Sequence, residues 1–306
     1  MRIGIIGRSE ILYDTVLKLK NAGHKICFII TSKEAPEYIK KSEDFYKLSK
    51  RLNIPFEKGS DIIKFKGLIK KKKPDVGVSL NFTKIIPKEI IDLFPLGILN
   101  AHGGDLPKYR GNACQAWAIL NGEKRIGLCI HKMVENELDN GDIIAKDYIK
   151  INDNTKITEV LNWIKINTKT MYLNVINKLE EKPNFILEKQ SKNVKDILRC
   201  YPRQPQDGRI KWNKTSIYIH RLINASNKPY SGAYCFFKEK KMIIWDSEIL
   251  HQEISICAIP GQITFVGKNF VDIACGQGEL RCKLIEYENK VMKPNDLIKS
   301  IRSRLT

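Results

Sequence analysis

The chain has 306 residues, 42% apolar and 28% charged; this is ordinary globular usage that excludes extended disorder, and the length points to two domains. Against 34 Asp and Glu stand 53 Lys and Arg, and the net charge of +19 favours an anionic partner without choosing among nucleic acid, membrane and phosphorylated or polycarboxylate small molecules. Most of the excess lysine reads as solvated surface.

None of the eight cysteines forms a C-x-x-C pair or meets a His at metal-ligand spacing, and Cys27 and Cys129 lie inside apolar runs. Reduced thiols and no metal are therefore expected. No apolar run reaches the roughly 18 residues of a membrane span, and MRIGIIG lacks the form of a signal peptide. A soluble, cytoplasmic protein with no membrane partner is the expectation.

From Met1 to about Lys150, short apolar runs alternate with helix-like segments, the pattern of a Rossmann-like α/β domain with a mostly parallel sheet. Ile3 to Ile6, Ile26 to Ile30, Val76 to Leu80 and Ile98 to Ala101 read as buried strands. Ser9 is placed to cap a helix running to Ala22, and Gly23 to end it. Gly4 and Gly7 occupy the first turn, but the full G-x-G-x-x-G is missing, so they read as turn glycines. After the second strand, TSKEAPEYIKKSEDFYKLSKRLNIPF reads as a helix of mixed charge.

Between Thr155 and Lys182 a helical stripe from Ile157 to Leu179 predicts one amphipathic helix, which Pro183 stops. Residues 183–207 are polar, with Pro202 and Pro205, and read as a linker. The expected domains are thus 1–182 and 208–306. The second has a helix from Thr215 to Ala225, then strands at Ala233 to Phe237, Met242 to Trp245, Gln262 to Val266, Phe270 to Ala274 and Leu280 to Ile285. They predict a small β-rich, OB-like domain, closed by a helix from Asn295 to Ile301.

The segment from Gly97 to Ile144 carries the chemistry. A strand ends in Asn100 and His102, which, two apart, share one face. Sites in open α/β sheets form beyond the carboxyl ends of strands, where both residues fall. GGDLPKYRGN is then a loop, and Asp139 lies in a second loop, ENELDNGD, with Asn140-Gly141 as a turn signal. An amide, an imidazole and a carboxylate together suit acyl transfer to an amine. The amide donates to the oxyanion of a tetrahedral intermediate, an effect of about 3 to 4 kcal/mol on the barrier. The imidazole accepts a proton from the amine or polarises the carbonyl, and the carboxylate orients it.

The N-x-H of Asn100 and His102, with Asp139 in an L-D-x-G context, resembles the folate-dependent formyltransferases. That family includes methionyl-tRNA formyltransferase, glycinamide ribonucleotide formyltransferase and the nucleotide-sugar N-formyltransferases. YPRQPQDGRIKWN and SNKPYSGAYCFF also look like the transfer-RNA and aminoarabinose members. The resemblance implies that Asn100, His102 and Asp139 are catalytic, that N10-formyltetrahydrofolate is the co-substrate and that no metal takes part. It places the pterin beside Lys84, Ile86, Ile91, Glu137 and Leu138.

Transfer-RNA enzymes typically carry S-L-L-P after the His and a basic, Gly-rich insertion after the second strand. Here stand Gly104-Asp105-Leu106-Pro107 and a mixed-charge segment with A-P-E-Y and E-D-F elements, which resembles the sugar enzymes. The favoured acceptor is a nucleotide-linked aminosugar, a 4-amino-4,6-dideoxyhexose on UDP, dTDP or GDP, for surface glycan such as lipopolysaccharide O-antigen. Arg8, Lys108, Tyr109 and Arg110 are candidates for holding the nucleotide. Initiator transfer RNA is the alternative, supported by the charge. A formyltetrahydrofolate deformylase is the third reading, weakened by the β-rich C-terminal part. Related sugar enzymes are often homodimers.

Overall fold

The apolar runs of the N-terminal half are nearly continuous, as strands buried on both faces require. A computed structural model describes residues 1–135, 137–250 and 256–306. Among the described residues the N-terminal elements in chain order are β1 (Arg2–Gly7), α1 (Glu10–Asn21), β2 (Lys25–Thr31), α2 (Ser42–Leu52), β3 (Phe56–Lys58), α3 (Lys66–Lys72), β4 (Val76–Leu80), α4 (Lys88–Ile91) and β5 (Ile98–His102). There follow β6 (Arg110–Gly111), α5 (Cys114–Asn121), β7 (Arg125–Lys132), β8 (Ile143–Lys150), α6 (Ile157–Glu181), β9 (Arg199–Cys200) and α7 (Ser216–Ala225). The last are β10 (Ala233–Phe237), β11 (Lys240–Leu250), β12 (Ile263–Val266), β13 (Val271–Ala274), β14 (Glu279–Tyr287), β15 (Lys290–Met292) and α8 (Pro294–Leu297).

By packing, the chain forms two units. The first comprises Met1–Gly111, Gly127–Ile149 and Asn162–Cys200, and the second Asn112–Ile126, Lys150–Leu161 and Tyr201–Thr306. The first holds a sheet in the order β3-β2-β1-β4-β5-β7-β8. β1 to β5 pair in parallel, whereas β7 runs antiparallel to β5. One face packs Ile3, Ile5, Val78, Leu99 and Ala101 against Leu12, Val16 and Leu19 of α1 and Tyr172, Val175 and Ile176 of α6. Burial of each such large side chain stabilises the fold by about 1.5 to 3 kcal/mol. The other face packs Ile6, Phe28, Ile30, Ile69, Ile90, Phe94 and Ile98. Gly7 has φ +140 and lies so close to β4 that a Cβ would meet Leu80 O at 2.1 Å. Backbone approach therefore explains that glycine without any ligand.

The second unit contains α5, α7 and an antiparallel sheet, β10-β11-β14-β13-β12 with β15 on β14. Thr215 caps α7 by accepting the amide of Tyr218 at 3.2 Å.

Several local expectations are corrected. Ser9 takes the N-cap place of α1 at φ 91, but its side chain makes no capping bond. The helix expected across 31–56 is confined to α2, and β3 is too short to show a period of two. The final helix is only the single turn α8, because Ile298 closes it by donating its amide to Pro294 O at 2.8 Å and then turns extended with its side chain fully buried.

Candidate active site

β5 sets the site. Leu99 and Ala101 belong to the core, so Asn100 and His102 take the opposite face at its carboxyl end. Antiparallel pairing puts Asn100 opposite His131 and His102 opposite Cys129. The loop between β7 and β8, of which Asn136 lies outside the described residues, returns Asp139 to this face at φ 54. His102 Nδ1 lies 3.4 Å from Asp139 Oδ2. Asn100 Nδ2 lies 3.5 Å from Asp139 Oδ1 and 3.3 Å from His131 Nε2. The three groups converge.

The carboxylate has further partners. Gly111 donates its amide to Oδ2 at 3.0 Å, and His131 Nε2 is 3.4 Å from Oδ1. Burial works to raise the Asp139 pKa, but His102, His131 and the Gly111 amide outweigh it and hold the carboxyl well below the usual range. Asp139 is therefore ionised. For His102, burial is the largest effect and lowers the imidazole pKa below 6.5, although Asp139 and the Tyr109 carbonyl oppose it. The resting ring is neutral at neutral pH. Its two neighbours, Tyr109 O at 2.6 Å from Nε2 and Asp139 Oδ2, are both acceptors, so only the imidazolium satisfies both at once.

Around the triad, Lys146 Nζ donates to Leu106 O at 2.7 Å and stands 3.5 Å from Asp105 Oδ1, stapling the loop after β5. Cys129 is buried, its thiol pushed up to about 12 by desolvation, which makes it no nucleophile. Among the described residues no group of three or more His, Cys, Asp or Glu could hold a metal ion.

A cleft of about 940 Å³ includes Ile91, Phe94, Arg110, Met133, Glu137, Asn140 and Gly141 in its lining. Of the residues implied for the pterin, Ile91 and Glu137 line it, and Leu138 is half-buried next to Asp139. Ile86 lies in the core, and Lys84 lines a separate cavity of about 560 Å³ with Lys33 and Lys58. The four nucleotide candidates do not form one set. Arg8 donates to Asn81 O at 2.8 Å and to Lys33 O, and Lys108 is exposed. The Tyr109 side chain is buried, and its main-chain carbonyl lies 2.6 Å from His102 Nε2. Arg110 is buried and bonded to Gln190.

His131, Gln190 and the Gly111 amide escaped the sequence reading. His131 matters through strand register and Gln190 through a tertiary contact, and neither leaves a local pattern. Gly104 is a further constraint. A Cβ there would meet Tyr109 O at 2.4 Å and His102 Nε2 at 2.5 Å. Gly104→Ala is expected to destabilise the fold by about 1 to 3 kcal/mol, read as a lowered thermal midpoint. An unchanged midpoint would show that the loop yields freely.

The profile of the formyl transferase family matches residues 1–176, and that of the formyl transferase C-terminal domain matches residues 203–302. This chain belongs to the formyl transferase family. A methionyl-tRNA formyltransferase of Clostridium tetani is 35% identical over 224 residues, 72% of this chain and 69% of that one. The bifunctional polymyxin resistance protein ArnA of Wigglesworthia glossinidia brevipalpis is 31% identical over 297 residues, 94% of this chain. This formyl transferase spans only 43% of that relative's length. In fold it is similar to the N-formyltransferase from Helicobacter canadensis, solved with folinic acid and dTDP-3-aminofucose: TM-score 0.63, 20% identity, 92% of this chain and 98% of that one.

Proposed function

We propose that this enzyme transfers the formyl group of N10-formyltetrahydrofolate to the amine of a nucleotide-linked aminodeoxysugar, a 4-amino-4,6-dideoxyhexose, in the cytoplasm and for surface glycan assembly. The observation that carries formyl transfer is the convergence of Asn100, His102 and Asp139 at the end of β5. The cleft suits a pteridine in size and lining, with apolar walls from Ile91, Phe94 and Met133 and polar groups from Glu137 and Asn140.

In this reading the folate supplies the formyl carbon, and the chain does the rest. Asn100 donates Nδ2 to the oxygen on which charge develops. His102 takes the proton of the attacking amine at Nε2 as the new C–N bond forms, Asp139 holds the imidazolium at Nδ1, and the proton passes to the folate nitrogen as its bond to the formyl carbon breaks. Because Tyr109 O occupies Nε2, the amine reaches this nitrogen only when that carbonyl gives way.

Two features favour a sugar acceptor. Gly104-Asp105-Leu106-Pro107 stands where transfer-RNA enzymes carry S-L-L-P, and residue 104 has no room for a side chain in this loop. The segment after β2 carries the mixed-charge helix α2 and no Gly-rich basic insertion. The Helicobacter canadensis enzyme, with its dTDP-aminosugar, supports the same choice. Transfer RNA remains the second reading because of the +19 charge and the methionyl-tRNA formyltransferase relatives.

Formyl transfer measured side by side on UDP-, dTDP- and GDP-linked 4-amino-4,6-dideoxyhexoses and on methionyl-tRNA decides the acceptor. Formylated sugar with unmodified transfer RNA is the expected outcome. Activity on transfer RNA alone would overturn the sugar reading, and formate released at full rate without any amine would mark a deformylase.

A further inference from the structure

The polar segment after α6 does more than connect. Leu187 and Glu188 donate their amides to Ile143 O at 2.9 and 3.1 Å, and Ile143 donates to Glu188 O at 2.8 Å, so the segment lies along the start of β8. Two residues on, Gln190 is only 7% exposed. Its Nε2 donates to two carbonyls of the acid-bearing turn, Asp139 O at 2.9 Å and Gly141 O at 2.7 Å. Its Oε1 accepts from Arg110 Nη2 at 2.8 Å. A guanidinium can only donate and a carbonyl only accept, so this amide has a single orientation and none of its donors is left over.

The next residue closes the arrangement. Gly111 follows Arg110 in β6, which pairs with β9, and its amide holds Asp139 Oδ2. The carboxylate is thus fixed through its own oxygen by one element and through its main chain by another. Such support is needed because Asp139 sits at φ 54, a conformation costly for a residue other than glycine.

We infer that Gln190, oriented by Arg110, is a positioning residue that clamps the Asp139 turn and so sets the carboxylate against His102. The inference rests on the reading that Asp139 serves catalysis through His102. It assigns Arg110 to the interior of the site rather than to the nucleotide.

Gln190→Met, close in length and unable to hydrogen-bond, is measured in the full chain beside Asp139→Asn. Turnover is expected to fall about 10- to 100-fold, the usual effect of losing a group that orients a catalytic one. The acid limb of the pH–rate profile, set by His102, moves to lower pH, because a displaced carboxylate no longer favours the imidazolium. A loss of turnover with an unmoved limb marks a merely structural role and overturns the inference. So does near wild-type turnover in Gln190→Met when Asp139→Asn is inactive. Wild-type turnover in Asp139→Asn instead removes the catalytic reading itself, and the inference with it, which separates the two failures. Should Gln190→Met fail to fold, Gln190→Asn, which keeps the amide one methylene short, is expected to give the same loss and the same limb shift.

Discussion

Replacing His102 with Asn lowers turnover by about a thousandfold, the middle to upper part of the range for a general base, and leaves a folded protein. The fold survives because the ring's neighbours, Tyr109 O, Asp139 and the His131 ring, belong to the site and not to the hydrophobic clusters that hold the sheet. Losing those bonds costs about 1 to 2 kcal/mol of stability. Steady-state kinetics with a thermal melt on the same sample checks both. An unfolded variant would make His102 structural, and an active one would remove it from the mechanism.

The acid side of the pH–rate profile follows from the same residue. Burial sets the His102 pKa below 6.5, so the neutral base persists at pH values where an exposed histidine is already charged. Turnover is lost only as pH falls through that depressed value. Stability changes in the same direction. His102 and Asp139 both have folded pKa values below their unfolded ones, so their contribution is complete above the unfolded values and disappears on acidification. A thermal midpoint that falls on acidification below the unfolded histidine value is the expected result, and a midpoint unchanged by acid would show that the pair adds nothing to stability.

Asn100→Ala cuts kcat by about 100- to 1000-fold, the consequence of losing one oxyanion donor, with little change in KM for the folate. The geometry permits this role because the ties on Nδ2 are long, 3.3 Å to His131 and 3.5 Å to Asp139, so the amide redirects to a developing charge at small cost. Leu99 and Ala101 hold the core on either side, so the substitution leaves β5 in place. A raised KM with unchanged kcat would show that Asn100 binds the ground state instead.

How far the sequence went depended on the range of the forces involved. β5, α6 and the strands of the second unit are written in local periodicity, because burial of one face repeats every two or 3.6 residues. The motif residues Asn100, His102 and Asp139 were legible as residue types at a strand end and in a turn. β3, only Phe56–Lys58, was not, since three residues carry no period. The end of the chain misled, because Asn295 to Ile301 has helical spacing while Ile298 is held by burial in an extended conformation.

By itself the sequence determined a two-part α/β and β-rich chain and the amide, imidazole and carboxylate of the candidate site, two at the end of a strand and one in a turn. Only the tertiary structure decided which partners tune them. Strand register put His131 beside Asn100, and the fold carried Gln190 and the Gly111 amide, both distant in the chain, onto Asp139. It also turned Arg110 and Tyr109 inward, although the sequence offered both for the nucleotide. Periodicity records which face of a segment is dry, whereas a hydrogen bond between distant segments depends on register and on close approach within one or two tenths of a nanometre of the right place, which no local pattern encodes.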